Sequence, residues 1–249
     1  MLKQLPMNKP IILNDFNEIN LEFKEDLNYI FVIDSNSKDI KFTVNNNVNA
    51  YVVLFSKENS NVNLKVEINE NANLKIDVIS MNNQTNDVYN FDLVGEYATL
   101  NMNVLSLAKE SKKEFLFYVN HLARETKSTV SNHGISFVNG KNHFRVNGVI
   151  KPNMKNSDVR QITKGLILQD GGECLAEPVL LIDYHDVKAY HGATIGKISD
   201  DDLFYLMSRG LSKDEAFMLI INGLLEPFVK NITDETIKEE IMNAYYSYF

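Results

Sequence analysis

The sequence predicts a mainly β chain, a parallel β-helix body followed by a helical C-terminal region. Three observations carry this. The stretch "NVNLKVEINENANLKIDVIS", residues 61–80, contains two similar ten-residue blocks of apolar–polar alternation. Asn is abundant where such runs end, while hairpin signals are few, "FVNGKNHF" being the clearest. After residue 198 the apolar spacing changes from every second residue to helical spacing.

The alternating runs come first along the chain. Val62, Leu64, Val66 and Ile68 alternate with polar residues, and Ala72, Leu74, Ile76 and Val78 repeat the pattern. Period two marks a strand with one buried face. The pattern continues in Ala98, Leu100, Met102 and Val104 and then changes phase at Leu105, Ser106 and Leu107. It returns in Phe115, Phe117 and Val119, and again in Phe144, Val146, Gly148 and Ile150. Many short strands without helices between them indicate an all-β body. A sandwich, a barrel and a β-helix would all alternate. The direct repeat and the Asn residues, whose side chains bond the backbone and stack, lean towards the β-helix. Such a body has open ends that need covers, so a cap is expected at each.

The C-terminal region supplies one candidate cap. Ser199 followed by Asp200, Asp201 and Asp202 is a helix start, with a hydroxyl for free N–H groups and carboxylates at the positive end. That helix stops at Gly210. Ser212 and Glu215 form a capping box for the next, whose stripe is Phe217, Leu219, Ile220, Leu224 and Leu225. Pro227 is expected to kink or end it, and Thr233 starts a third. The domains expected are a short N-terminal segment over 1–25, a β-helix core over 26–198 and a helical domain over 199–249. The seam "HGATIGK" is not a phosphate loop. Only three residues separate Gly192 from Gly196, and Ile198 stands where a metal-binding hydroxyl belongs.

Composition narrows the function classes. The 249 residues carry 25 Lys+Arg against 33 Asp+Glu, net charge -8, which argues against phosphate-driven nucleic-acid binding. Runs such as "FMLII" and "VLLI" are too short for a membrane span. No secretion signal is read at the N-terminus, and the single Cys174 excludes an internal disulfide; a cytoplasmic location is expected.

Chemistry-bearing residues are sparse. His121, His133, His143, His185 and His191 show no zinc-protease spacing, and no Gly-x-Ser-x-Gly elbow is present. Cys174 has no second cysteine with which to build a metal site, and a lone cysteine is more often an inert buried residue. Glu173 and Glu177 are near neighbours that could serve glycoside chemistry, but a solvated turn is the simpler reading. His191 and Cys174 are borderline or soft ligands near the seam, and a partner would have to complete any metal site they join.

The seam with its flanks, "PVLLIDYHDVKAYHGATIGKISDDDLFYLMSRGLSKDEAFMLIINGLLEPFV", closely resembles the C-terminal signature of the SufB/SufD family, scaffold components of the SUF iron–sulfur cluster assembly system. Upstream, "FYVNHLARETKSTVSNHGISFVNGKNHFRVNGVIKPNMKNSDVRQITKGLIL" resembles the same family's core, and the match runs over about residues 115–230. The resemblance implies a right-handed parallel β-helix with a C-terminal helical domain. It implies a non-catalytic scaffold that docks the ABC-type ATPase SufC through those helices, with Leu203, Phe204, Tyr205, Arg209, Gly210, Glu215 and Phe217 as the docking candidates. The core would pair with SufB or a second SufD-like chain. No firmly bound cofactor is implied, only a transient iron–sulfur cluster at a subunit interface.

The branch looks SufD-like and short. SufB-type chains carry "HEAT" where this chain has "HGAT", so Gly192 replaces a carboxylate, and their functional cysteine falls near Thr163. His191 occupies the position of the histidine implicated at the cluster-forming interface; Ala189 stands where many members have a cysteine. Full-length members carry a long N-terminal region that this chain largely lacks. Two other readings compete: a stand-alone homodimeric SufC-binding scaffold without SufB, and a β-helix carbohydrate-active enzyme.

Overall fold

The computed structural model describes residues 11–12, 18–33, 38–56, 59–81 and 83–249. Residues 1–10 and 13–17 of the expected N-terminal segment lie outside the described residues. Among the described residues fifteen strands are followed by three helices. The strands are β1 (Ile11–Ile12), β2 (Glu18–Phe23), β3 (Leu27–Ile33), β4 (Lys38–Val44), β5 (Asn49–Ser56), β6 (Val62–Ile68), β7 (Asn73–Ser80), β8 (Thr85–Leu93), β9 (Thr99–Ala108), β10 (Lys112–His121), β11 (Lys127–Ser136), β12 (Lys141–Ile150), β13 (Asp158–Ile167), β14 (Glu173–Ile182) and β15 (Lys188–Gly196). The helices are α1 (Asp200–Ser208), α2 (Lys213–Val229) and α3 (Glu235–Tyr246).

The odd strands form one eight-stranded sheet and the even strands one seven-stranded sheet, every pairing parallel. Each turn of chain thus lays one strand in each sheet, which makes a flattened solenoid. The ten-residue repeat is therefore half a turn. Leu64 and Leu74 sit in opposite sheets; in the following turn Leu100 stacks on Leu74 and Tyr89 on Leu64. Asn139-Gly140 is a corner between the two sheets rather than a hairpin, since β11 and β12 do not pair with each other. Asn139 takes φ 50° there, a left-handed conformation that Asn tolerates better than most residues. Strand pairing reaches back to Ile11 and Glu18, ahead of the expected core start at 26.

Alternation places one row from each strand inside. Val66, Phe91, Phe117, Val146, Ile76, Met102 and Val130 belong to a single interior cluster. Tyr89 stacks on Phe117 at 5.4 Å and Phe115 on Phe144 at 5.1 Å, so like residues of successive turns pack ring on ring. The solenoid is thin, and large side chains need space opposite. A Cβ on Gly134 would lie 2.9 Å from the Phe144 ring. The Asn residues stack differently from a ladder of like amides. Asn63 donates to Asp39 at 2.8 Å and Asn120 to Asp92 at 2.8 Å, each reaching an acid of the preceding turn.

One interior corner is polar. Val62 N–H and the Tyr89 hydroxyl both donate to the Asp87 carboxylate at 2.9 Å, and Lys113 Nζ donates to the Ser80 carbonyl at 3.0 Å. Burial pushes the Asp87 carboxyl up to about 6 and the Lys113 amine well below its usual range.

The phase change at 105–107 has a tertiary cause. Leu105 and Leu107 point out of the solenoid, yet they are fully buried because α2 and α3 cover the outer face of the odd sheet. A second core joins Ile79, Leu105, Ile135 and Phe137 to Ile221, Leu225, Phe228, Ile237, Ile241 and Tyr245. The anchor is polar as well: the Tyr248 hydroxyl donates to the Leu107 carbonyl at 3.2 Å, and Lys109 Nζ to the Tyr248 carbonyl at 3.1 Å. These helices thus lie on the flank of the solenoid and do not cap its end. The expected C-terminal cap is corrected accordingly: α2 lays Ile221, Leu225 and Phe228, flanked by Phe217 and Leu224, on the odd sheet, while Leu219 of the expected stripe is left exposed. Nor does Pro227 end α2, which continues to Val229. The residue four positions earlier is the exposed Gly223, so the carbonyl that loses its donor meets water.

Candidate functional site: the open terminal turn and helix α1

The last turn has no successor. β14 is the edge of the even sheet and β15 the edge of the odd sheet, so each keeps one side of its backbone unpaired. Such an edge is a template for another strand. Leu175, Leu181, Tyr190 and Ile195 are large apolar side chains exposed on these two strands, with Tyr190 56% exposed. In the inner turns, by contrast, most residues of these types are buried.

His191 lies on β15, in register with Gln161 of β13 and on the same side, which is the lumen side. No further turn covers it, and it is exposed. Gly192 next to it faces outward. A Cβ there would sit 2.8 Å from the Tyr190 hydroxyl, so the glycine leaves room for that ring. Thr163 is buried inside, where Asn132 Nδ2 donates to its hydroxyl at 3.2 Å.

Cys174 occupies β14 on the lumen side, packed against the interior cluster. A Cβ on Gly165 would meet its Sγ at 2.5 Å, so the glycine is what admits the thiol. Burial pushes the thiol up to about 11, which keeps it protonated and a poor ligand at neutral pH. The structure thus separates the two sequence-chosen ligands: His191 faces the solvent-exposed end, and Cys174 is a packing residue.

Glu173 and Glu177 lie on β14, not in a turn. Both carboxylates have basic neighbours: Lys141 is 2.7 Å from Glu173, and His143 Nε2 is 3.2 Å from Glu177. His121 is buried, sharing hydrogens with Thr126 at 2.7 Å and Ser128 at 2.8 Å, and burial lowers its pKa to about 4. Among the described residues no group of three His, Cys, Asp or Glu is placed to hold a metal ion. Among the same residues no helix is long and apolar enough to cross a membrane.

The short link 197–199 joins β15 to α1. Ser199 caps α1 by accepting from the N–H groups of Asp201 and Asp202. No residue of α1 is buried, and Phe204 is 74% exposed, beside Tyr205 and Met207. The Arg209 guanidinium lies over the Tyr205 ring at 5.3 Å, Leu203 is half-buried, and Gly210 takes φ 97° at the helix end. The remaining two docking candidates point elsewhere. Glu215 caps its own helix, receiving the Ser212 N–H at 2.8 Å, and Phe217 packs inward on the second core. What the sequence missed was the edge apolar set on β14 and β15. Its signal was present in the run "VLLI" of "ECLAEPVLLIDY", which breaks the alternation and leaves Leu181 on the outer face.

These features define a class: a parallel β-solenoid with helices docked on its flank, one bare end and one exposed aromatic helix. Likeness to known proteins narrows it. The family described as "SUF system FeS cluster assembly, SufBD core domain" matches residues 19–224, and the chain belongs to that family. It is 30% identical over 135 residues to the iron–sulfur cluster assembly protein SufD of Bacillus subtilis, covering 54% of this chain and 31% of that one. A SufBD family protein of Archaeoglobus fulgidus is 45% identical over 78 residues, 31% of this chain and 21% of the relative. SufB of Bacillus subtilis is 34% identical over 117 residues, 46% of this chain and 25% of the relative. The matched stretch spans less than a third of each of these curated relatives.

Proposed function

We propose that this chain is a non-catalytic, SufD-like scaffold subunit in iron–sulfur cluster assembly. It pairs through β14 and β15 with SufB or a second chain of its own kind. It docks a SufC-type ABC ATPase through α1 and the adjoining start of α2, and ATP hydrolysis belongs to that partner. The observation that carries this reading is the uneven covering of one fold. The flank of the odd sheet is sealed by α2 and α3, while the terminal turn and α1 leave Leu175, Leu181, Tyr190, Phe204 and Tyr205 exposed. Exposed apolar groups concentrated at unpaired strand edges and on one helix are what partner surfaces need.

The cluster is cargo at the paired edge, held transiently. His191 supplies one imidazole from this side, and the partner supplies the other ligands, since a single histidine cannot hold a cluster. A neutral imidazole is an adequate iron ligand, whereas the buried, protonated Cys174 is not. The setting is taken to be cytoplasmic.

The test is co-purification of the full chain with the SufC-type ATPase and SufB from the same organism. Removing residues 199–249 is a poor probe, because it would strip the second core and expose Leu105 and Ile135. Point changes serve better. Phe204→Asp with Tyr205→Asp should abolish ATPase co-elution and spare pairing. Leu181→Asp with Ile195→Asp should do the reverse. Wild-type chain that folds yet co-elutes with neither partner would defeat the scaffold reading and reopen the carbohydrate-active one.

A further inference from the structure

Gln161 is 2% exposed and faces the lumen on β13. Its amide crosses the thin solenoid, and Nε2 donates to the Val179 carbonyl of β14 at 3.1 Å. A carbonyl accepts only from the nitrogen, so the orientation of the amide is fixed by chemistry. Gly148 makes the crossing possible, since a Cβ there would sit 2.8 Å from Nε2. The consequence falls on the other end of the amide. Oε1 is buried and has no hydrogen-bond partner among the described residues. A buried acceptor left without a donor costs roughly 1–3 kcal/mol.

The donor has one obvious source. β15 pairs with β13 with His191 opposite Gln161, on the same side of the sheet. Adjacent strands lie about 4.8 Å apart, within reach of a rotated imidazole. The next lumen position on β15, opposite Thr163, is Ala193, which has no donor in its side chain. A metal-ligating histidine characteristically donates its second ring N–H to a fixed acceptor, which sets the tautomer and the ring direction.

We infer that Gln161 is a positioning residue: its Oε1 accepts one ring N–H of His191 and aims the other ring nitrogen out of the terminal turn, towards the cargo. The inference rests on the reading of His191 as a cluster ligand. Gln161 touches neither cluster nor partner in this scheme. It is held at its far end by β14, so the pose of His191 depends on both edge strands at once.

The test uses the full chain labelled with ¹⁵N-histidine, observed at a pH where imidazole is neutral. Wild-type His191 should show a single tautomer with a slowly exchanging ring N–H. Gln161→Met, similar in length but without acceptor or donor, should turn it into a tautomer mixture with a fast-exchanging N–H. Gln161→Glu, which keeps an acceptor oxygen, should restore a single tautomer. Thr163→Val, next along the same lumen row, should leave the His191 signals unchanged and controls for general loosening of the strand. A His191 tautomer indifferent to Gln161→Met, or equally disturbed by Thr163→Val, overturns the inference.

A second arm measures cluster retention by the co-purified complex, where Gln161→Met should cost about tenfold. The two ideas then separate. Retention lost in His191→Ala with a tautomer indifferent to Gln161 keeps the ligand and removes the positioning. A tautomer governed by Gln161 with retention untouched by His191→Ala keeps the hydrogen bond and removes the ligand.

Discussion

β7 and β15 are both strands of the odd sheet, and both alternate in sequence. β7 is buried at six of its eight positions, whereas none of the nine residues of β15 is. β7 has a strand on either side, an interior below and α2 and α3 over part of its outer face. β15 has β13 on one side only. In a solenoid, burial is conferred by the neighbouring turn. The sequence does carry a trace of the difference: the lumen row of β7 is Leu74, Ile76, Val78 and Ser80, while that of β15 is Ala189, His191, Ala193 and Ile195. The inner turns are stabilised by apolar volume. The lumen row of β15 holds two alanines and a histidine beside Ile195, so it offers less apolar volume to a following turn.

The contrast can be broken from either end. The largest effect is expected inside. Phe117→Ala removes a ring stacked on Tyr89 and should cost about 3–5 kcal/mol in denaturant unfolding. A loss under about 1 kcal/mol would mean that the interior is not the packed column described.

The next effect concerns pH. His121 has a folded pKa of about 4 against an ordinary 6.5, because burial disfavours its charged form. Its contribution is complete above pH 6.5 and is lost as pH falls from 6.5 towards 4, since the unfolded chain binds the proton first. The span corresponds to roughly 3 kcal/mol. Plots of unfolding free energy against pH, from about pH 7 to pH 4, should be visibly flatter for His121→Gln than for wild type. Parallel plots would contradict the assignment.

A smaller effect tests the helices. Ser212→Ala removes the capping box of α2 and should cost about 1 kcal/mol. Hydrogen exchange should quicken at the start of α2 while β7 stays protected; quickening throughout β7 would show that helices and sheet open as one unit.

The smallest effect lies at the bare end. Tyr190→Ser should change stability by no more than about 0.5 kcal/mol, as at other exposed sites. The same change should weaken pairing with a partner chain, measured by sedimentation. A loss of several kcal/mol in the isolated chain would mean that the edge is not free.

Much of the fold was legible because alternation is a local property. Val62 to Ile68 and Ala72 to Val78 announce strands whatever surrounds them. Ser199 and the Ser212–Glu215 box announce helix starts for the same reason, as capping involves residues three apart. The pairing of turns was not legible. The ten-residue repeat pointed to a β-helix without showing that alternate strands go to opposite sheets. Leu105 and Leu107 broke phase for a reason lying more than a hundred residues away, in Ile221 and Tyr245. The candidate site was half visible. His191 stood out by its motif, while Gln161 looked like any polar residue in "DVRQITKG".

Residue order alone dictated that the body is β, that its residues alternate in and out, and where the helices begin. These follow from propensities and side-chain periods, which act over a few residues. It took the folded arrangement to settle that α2 and α3 lie along the flank and leave the end bare, that Cys174 is packed while His191 is exposed, and that Gln161 reaches across to β14. Each of these depends on which surfaces remain after the strands have stacked, and stacking joins residues of successive turns that no local pattern relates.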